Sequence, residues 1–232
     1  MTGFTLPQQL ARMDQARLRA YADNLAFYQG EQWPDDYRRN RRERRLVFNY
    51  AKALIEKTAS YMMSGLNFAV DAVDESAEAQ ATARRAEKAL RDVYEANQLA
   101  QVDLETELDA SVLGDGVFKV TWDTAERRVR VSTPDVQGIF VWWLGDDTSR
   151  VWRVASRYTL LPEEVEMLYG VTPAKARPSG RANGSEVVEV WTEQEFELWV
   201  DNVLIDQKAN PYGFIPFVVF PNLREPKQFW GC

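Results

Sequence analysis

Leu108-Asp109-Ala110-Ser111-Val112-Leu113-Gly114-Asp115-Gly116-Val117-Phe118-Lys119-Val120-Thr121-Trp122 is the stretch in which the chain changes its period. Before it, Leu99, Val102, Leu108 and Val112 recur at helical spacings. After it, Val117, Phe118, Lys119, Val120, Thr121 and Trp122 alternate as in a half-buried strand. Gly114 and Gly116 end the helix, because glycine accepts the left-handed backbone of a helix terminus. This junction divides the chain into a helical segment, 1–113, and a mainly antiparallel strand segment, 114–232. Helices followed by strands make the class α+β.

Downstream of the junction, Val117–Trp122 and Arg127–Ser132 flank the polar turn Asp123–Glu126 and predict a hairpin. Ile139–Leu144 reads as an apolar strand, and Trp152, Val154, Ser156, Tyr158 and Leu160 mark the alternating face of another. Pro162–Gly170 has proline near its start and glycine at its end, which predicts a short helix at 162–169. Residues 171–185 are rich in Pro, Gly and small polar residues and read as an exposed loop. Strands are expected again at Glu186–Trp191, Phe196–Val200 and Val203–Ile205. A last one, before Pro221, is bounded by prolines and suits a sheet edge.

Upstream, Thr5 and Pro7 open a helix in which Leu10, Met13, Arg17, Tyr21, Leu25 and Tyr28 share one face up to Gly30. Asn49 is placed to cap a second helix, whose apolar face carries Val47, Tyr50, Leu54, Thr58, Tyr61 and Met62, with Gly65 past its end. Leu66–Asp71 alternates and predicts a strand. In Glu75–Asn97, Ala86, Leu90, Val93, Tyr94 and Asn97 trace a helix with a charged opposite face.

Charge is segregated. The protein has 232 residues and a formal net charge of −7, yet Arg38, Arg39, Arg41, Arg42, Arg44 and Arg45 lie together in the loop 37–45. Such a run is either a solvated loop or a surface for phosphate or an acidic neighbour. Between Asp92 and Asp115 there are seven acidic residues and no basic one, which reads as a solvated acidic face. No run of 18 apolar residues suits a membrane span, and the first residues lack a signal-peptide pattern. Residence in a reducing cytoplasm is the expectation.

Absent residue types exclude whole chemistries. There is no histidine, and the one cysteine is Cys232. Ser-His-Asp and Cys-His catalysis, imidazole-bound metals and disulfides within the chain are therefore excluded. No catalytic or metal-ligating constellation stands out, and no cofactor is expected. The nearest candidate is a carboxylate-metal nuclease built from Pro134-Asp135 and Glu225-x-Lys227, whose wide separation makes the match little better than chance. A second alternative is a nucleic-acid-binding module in which the Arg38–Arg45 cluster acts with Trp33, Tyr37 and Phe48 as stacking partners.

Several segments in order carry a family likeness: Phe27-Tyr28-x-Gly30-x-Gln32-Trp33 and the arginine loop; Val47-x-Asn49-Tyr50-x-Lys52-x-Leu54-Ile55; Ser60-Tyr61-Met62-x-x-Gly65; Gly114-x-Gly116 leading into Phe118-x-Val120-x-Trp122; and Asn210-Pro211-x-Gly213-x-Ile215-Pro216-Phe217-Val218-x-Phe220-x-Asn222. In these the sequence resembles the portal proteins of tailed bacteriophages, in the SPP1-type branch. The resemblance implies a non-catalytic head–tail connector that forms a ring, usually a dodecamer, at one capsid vertex of the virion. Double-stranded DNA is packaged and ejected through it. Terminase, capsid or scaffolding proteins and head-completion proteins are the implied partners. The match corresponds to the family's N-terminal, wing-like part. Phe229-Trp230-Gly231-Cys232 is apolar, and truncation before the family's channel-side helices is expected. The six arginines are then expected at a subunit or partner contact, opposite the acidic 92–115 or 186–206 stretch.

Overall fold

Gly114 adopts φ +100° and its N–H bonds back to the Ala110 carbonyl at 2.9 Å, so the last helix before the junction ends where the period changes. The computed structural model describes residues 5–33, 46–62, 66–172, 184–224 and 226–231. The helices before the junction are α1 (Leu6–Leu10), α2 (Gln15–Tyr28), α3 (Tyr50–Met62), α4 (Ala77–Ala96) and α5 (Leu99–Leu113). After it come β1 (Asp115–Asp123), β2 (Arg128–Ser132), β3 (Ile139–Leu144), β4 (Asp147–Leu160), α6 (Pro162–Tyr169), β5 (Ser185–Trp191), β6 (Glu195–Val200), β7 (Val203–Ala209) and β8 (Phe217–Pro221). The class is α+β, as the change of period predicts.

Both sheets are antiparallel. The smaller has the order β2-β1-β8 and the larger is the meander β3-β4-β5-β6-β7. The five-stranded meander is thus inserted between β2 and β8, and the chain returns to pair β8 with β1 at Val117↔Val219 and Phe118↔Val218. The proline-bounded last strand lies at a sheet edge, where a missing N–H costs no ladder bond.

Alternation places the core. Val141, Val154, Val187, Trp191, Phe196 and Leu198 share one face of the larger sheet and join Leu113, Val117 and Phe217 in the main cluster. On the other face, Phe140, Ala155, Val188 and Val190 are covered by Leu10 of α1. The register Phe140↔Ala155↔Val190 brings three of these side by side.

Two expectations change. The first helix is not continuous, because Asp14 takes φ +51° and separates α1 from α2. The break has a packing cause: Leu10 fills the outer face of the larger sheet, whereas Tyr21 on α2 enters the main cluster, and one straight helix does not serve both. Residues 66–72 form no strand. Phe68 instead meets the Tyr94 ring of α4 edge-on, with centroids 5.3 Å apart, so the alternation there serves a helix contact. Residues 37–45, Gly65 and 173–183 lie outside the described residues.

Candidate assembly surface

Helix α3 is held at its first turn. The Asn49 side chain accepts from the Lys52 N–H at 3.0 Å, which caps the helix, and its Nδ2 donates to the Tyr28 carbonyl at 2.7 Å. Tyr28 OH donates to Glu56 Oε1 at 3.1 Å, and the helix packs on α5. One asparagine thus both starts the helix and ties it to α2. Of the helix's described residues only Ala59 is buried.

The apolar face recognised in the sequence points outward. Phe48 is 68% exposed, Tyr50 77% and Leu54 69%, and Tyr61 and Met62 are exposed as well. This is not the core helix that its pattern suggests. Large apolar groups left together in water mark a contact surface more often than chance. The extended residues 46–49 alternate in the same sense. Val47 and Asn49 lie against Gly30, while Leu46 and Phe48 project, and the Phe48 and Tyr50 rings stack at 6.2 Å.

The described residues also hold two buried polar clusters that the sequence did not disclose. In the first, Tyr21 OH donates to Asp115, and the Gly231 N–H donates to the same carboxylate at 2.8 Å. Arg17 donates to Asp14 at 3.1 Å and to the Ile139 carbonyl at 2.8 Å, and its guanidinium lies 3.7 Å from the Trp230 ring centroid. Phe229 stacks on Trp143 at 5.2 Å with ring planes 7° apart. Gly231 has no room for a side chain, since a Cβ there would meet the Gly114 carbonyl oxygen at 2.4 Å. Residues 229–231 are therefore welded to α2, the start of β1 and the end of β3. Burial pushes the Asp115 carboxyl above its ordinary range, partly opposed by its hydrogen bonds and by Arg17. Burial and the Asp115 bond push the Tyr21 phenol up.

In the second, Glu189 of β5 is buried between the two sheets. Lys119 of β1 donates to it at 2.5 Å, Trp191 Nε1 at 3.0 Å and Tyr158 OH at 2.7 Å. Tyr158 OH is in turn 2.7 Å from Tyr169 OH, at the end of α6. Burial raises the Glu189 pKa, but Lys119 and the two other donors more than offset that and hold it down. Burial, then the Glu189 charge, push Tyr158 strongly up. The cluster fixes β1, β5 and α6 to one another through charge-assisted bonds in a dry setting.

The first cluster corrects the solvated acidic reading of 92–115 at one residue, since Asp115 is buried while the other six acids of that stretch are not, and in the 186–206 stretch Glu189 is buried as well. Alternation held the signal. Lys119 shares a strand face with buried Val117, and Glu189 shares one with Val187 and Trp191. A charge on the inward side of a strand needs a partner.

The remaining sequence candidates separate. The six arginines from Arg38 to Arg45 lie outside the described residues, as do Tyr37 and Glu225. Of the stacking candidates, Trp33 and Phe48 are exposed. Asp135 accepts from the Gln137 N–H at 2.9 Å and so caps the turn before β3. Among the described residues no group of three acids or thiols is arranged to hold a metal ion, and no helix is long and apolar enough to cross a membrane.

A search of curated proteins found no match. The family model described as phage portal protein, SPP1 Gp6-like, matches residues 7–230. That span takes in nearly all of the helical half, both sheets, and Phe229 and Trp230 of the welded segment, and the chain belongs to the family of SPP1 Gp6-like phage portal proteins.

Proposed function

We propose that this protein is a structural subunit of a phage head–tail connector. Copies of it form a ring, a dodecamer by the family's habit, at one vertex of the head, and double-stranded DNA is packaged and ejected through that ring. The observation that carries this reading is the family match over residues 7–230. Its partners are further copies of itself, the terminase, capsid or scaffolding proteins and head-completion proteins, and its place is the virion. It turns over no substrate and needs no cofactor.

The charge supports the reading. A passage for a polyanion must let DNA slide, and a net charge of −7 disfavours the tight grip that a basic protein obtains on duplex DNA through counterion release. Arg38, Arg39, Arg41, Arg42, Arg44 and Arg45 serve a contact between subunits or with a partner, against an acidic face. The open apolar side of α3 is the kind of surface that a subunit contact covers.

Sedimentation and negative-stain electron microscopy of the protein, with filter binding of duplex DNA at two salt concentrations, test the proposal. Closed rings and weak DNA binding are expected. A protein that stays monomeric while binding duplex DNA with a steep salt dependence would instead be a nucleic-acid-binding module built on the arginine cluster.

A further inference from the structure

Among the described residues there is a ridge without a socket and a socket without a ridge. The ridge is Leu46, Phe48 and Tyr50, continued on α3 by Leu54, with the ion pair Lys52–Glu56 beside it at 3.8 Å. The socket is a cleft of about 390 Å³ between the two sheets, where β4 faces β8. Val141, Val154, Phe217 and Phe229 form its apolar wall, Val218 stands at its mouth, and Glu193 and Arg224 flank it. That volume is within the range of about 300–1,000 Å³ in which proteins seat small molecules.

We infer that the 46–54 ridge of one copy seats in the β4–β8 cleft of the next copy. Two features choose this occupant. The ridge is aromatic and aliphatic, as the apolar wall requires, and it brings one base and one acid to a cleft flanked by one acid and one base. Lys52 meets Glu193, and Glu56 meets Arg224. The ridge does not reach the cleft of its own chain: Asn49 and Tyr28 hold it to α2, α3 packs on α5, and no residue from 46 to 62 lines the cleft. Because ridge and cleft are different surfaces, the contact is heterologous and passes from copy to copy, closing into a ring when the rotation permits. The inference rests on the ring-forming reading above and names the surfaces that would make the ring.

The test uses the whole chain in a Cys232→Ser background, so that introduced cysteines are the only thiols. Phe48→Cys and Val218→Cys proteins are made separately, mixed and oxidised. Val73→Cys, at a side chain that is 99% exposed and belongs to neither the ridge nor the cleft lining, replaces Phe48→Cys in the control. The expected result is a mixed disulfide dimer several-fold above that control. Phe48→Glu and Val218→Glu should each weaken self-association by roughly thirty-fold or more, as loss of an interface anchor does, without lowering the melting temperature. If the unmodified protein forms rings but the mixed pair cross-links no better than the control, the ridge-in-cleft contact is wrong and the ring stands. If the mixed pair cross-links while the unmodified protein never closes into rings, the contact stands and the ring reading falls. If neither occurs, both fall. A disulfide formed within one chain bearing both cysteines would also overturn the contact, by showing that the ridge folds onto its own cleft.

Discussion

The larger sheet and helix α3 draw on the same residue types and treat them oppositely. In β3 to β6, Phe140, Val154, Val188 and Leu198 are buried because each face has a cover: α1 on one side, the smaller sheet and residues 229–231 on the other. Along α3, tyrosine, leucine and methionine of similar size stay in water, because the chain supplies α5 beneath the helix and nothing described above it. Burial of a large apolar side chain is worth about 1.5–3 kcal/mol, so the sheet holds its share of that energy within the chain. Among the described residues, the helix leaves its share unclaimed. An apolar stripe therefore reports that a face wants a cover without reporting who provides it.

That contrast is open to direct attack. Lys119→Met should do the most damage, since it strands the Glu189 charge between the sheets. A loss of about 3–5 kcal/mol by urea unfolding is expected, and adding Glu189→Leu should restore much of it. If Lys119→Met alone leaves stability unchanged, the pair does not hold the sheets together. Next, Leu10→Ala should cost about 2–5 kcal/mol, because it opens a void under the outer face of the sheet. Leu54→Ala on α3 should stay within about 0.5 kcal/mol. Equal losses at the two leucines would erase the distinction between the regions.

The pH dependence is a smaller effect and isolates the other cluster. The Asp115 pKa is raised in the folded state, so the folded protein binds its proton more readily than the unfolded chain. Its destabilising effect at neutral pH is relieved as pH falls through that raised value, and the relief is complete below the ordinary value of 3.8. Glu189 runs the other way: its lowered pKa stabilises above the ordinary value of 4.5, and that is lost as pH falls through the lowered value. Asp115→Asn removes the first effect alone. The stability of the native protein relative to this variant should therefore rise as the pH is lowered from 7 to 4. A difference that is flat over this range, measured from urea midpoints, would mean that Asp115 is not held in a raised state.

The smallest effect on stability belongs to the arginines. Changing Arg39, Arg42 and Arg45 to glutamine should move the unfolding free energy by less than about 0.5 kcal/mol, yet weaken assembly. The weakening should be less at high salt, where screening already reduces the attraction. Unfolding of this variant with normal assembly of the folded fraction would make the cluster a structural feature.

The amino-acid sequence alone determined every feature that depends on neighbours along the chain. The change of period at Gly114, the β1–β2 hairpin, α6 between Pro162 and Gly170, and the Asn49 cap follow from local spacing and backbone preference. They appear where that spacing puts them. The family likeness was legible for a related reason, since its segments are runs of adjacent residues. Tertiary structure alone decided which faces found covers. It broke the first helix at Asp14, turned the 66–71 strand pattern into a contact with α4, left the apolar face of α3 in water, and buried Asp115 and Glu189. Where a partner decided, it is remote in sequence: Gly231 for Asp115, Lys119 for Glu189, Phe140 for Leu10. A carboxylate on a strand has the same local signature whether water or a lysine 70 residues away faces it, because solvation is a property of the assembled surface.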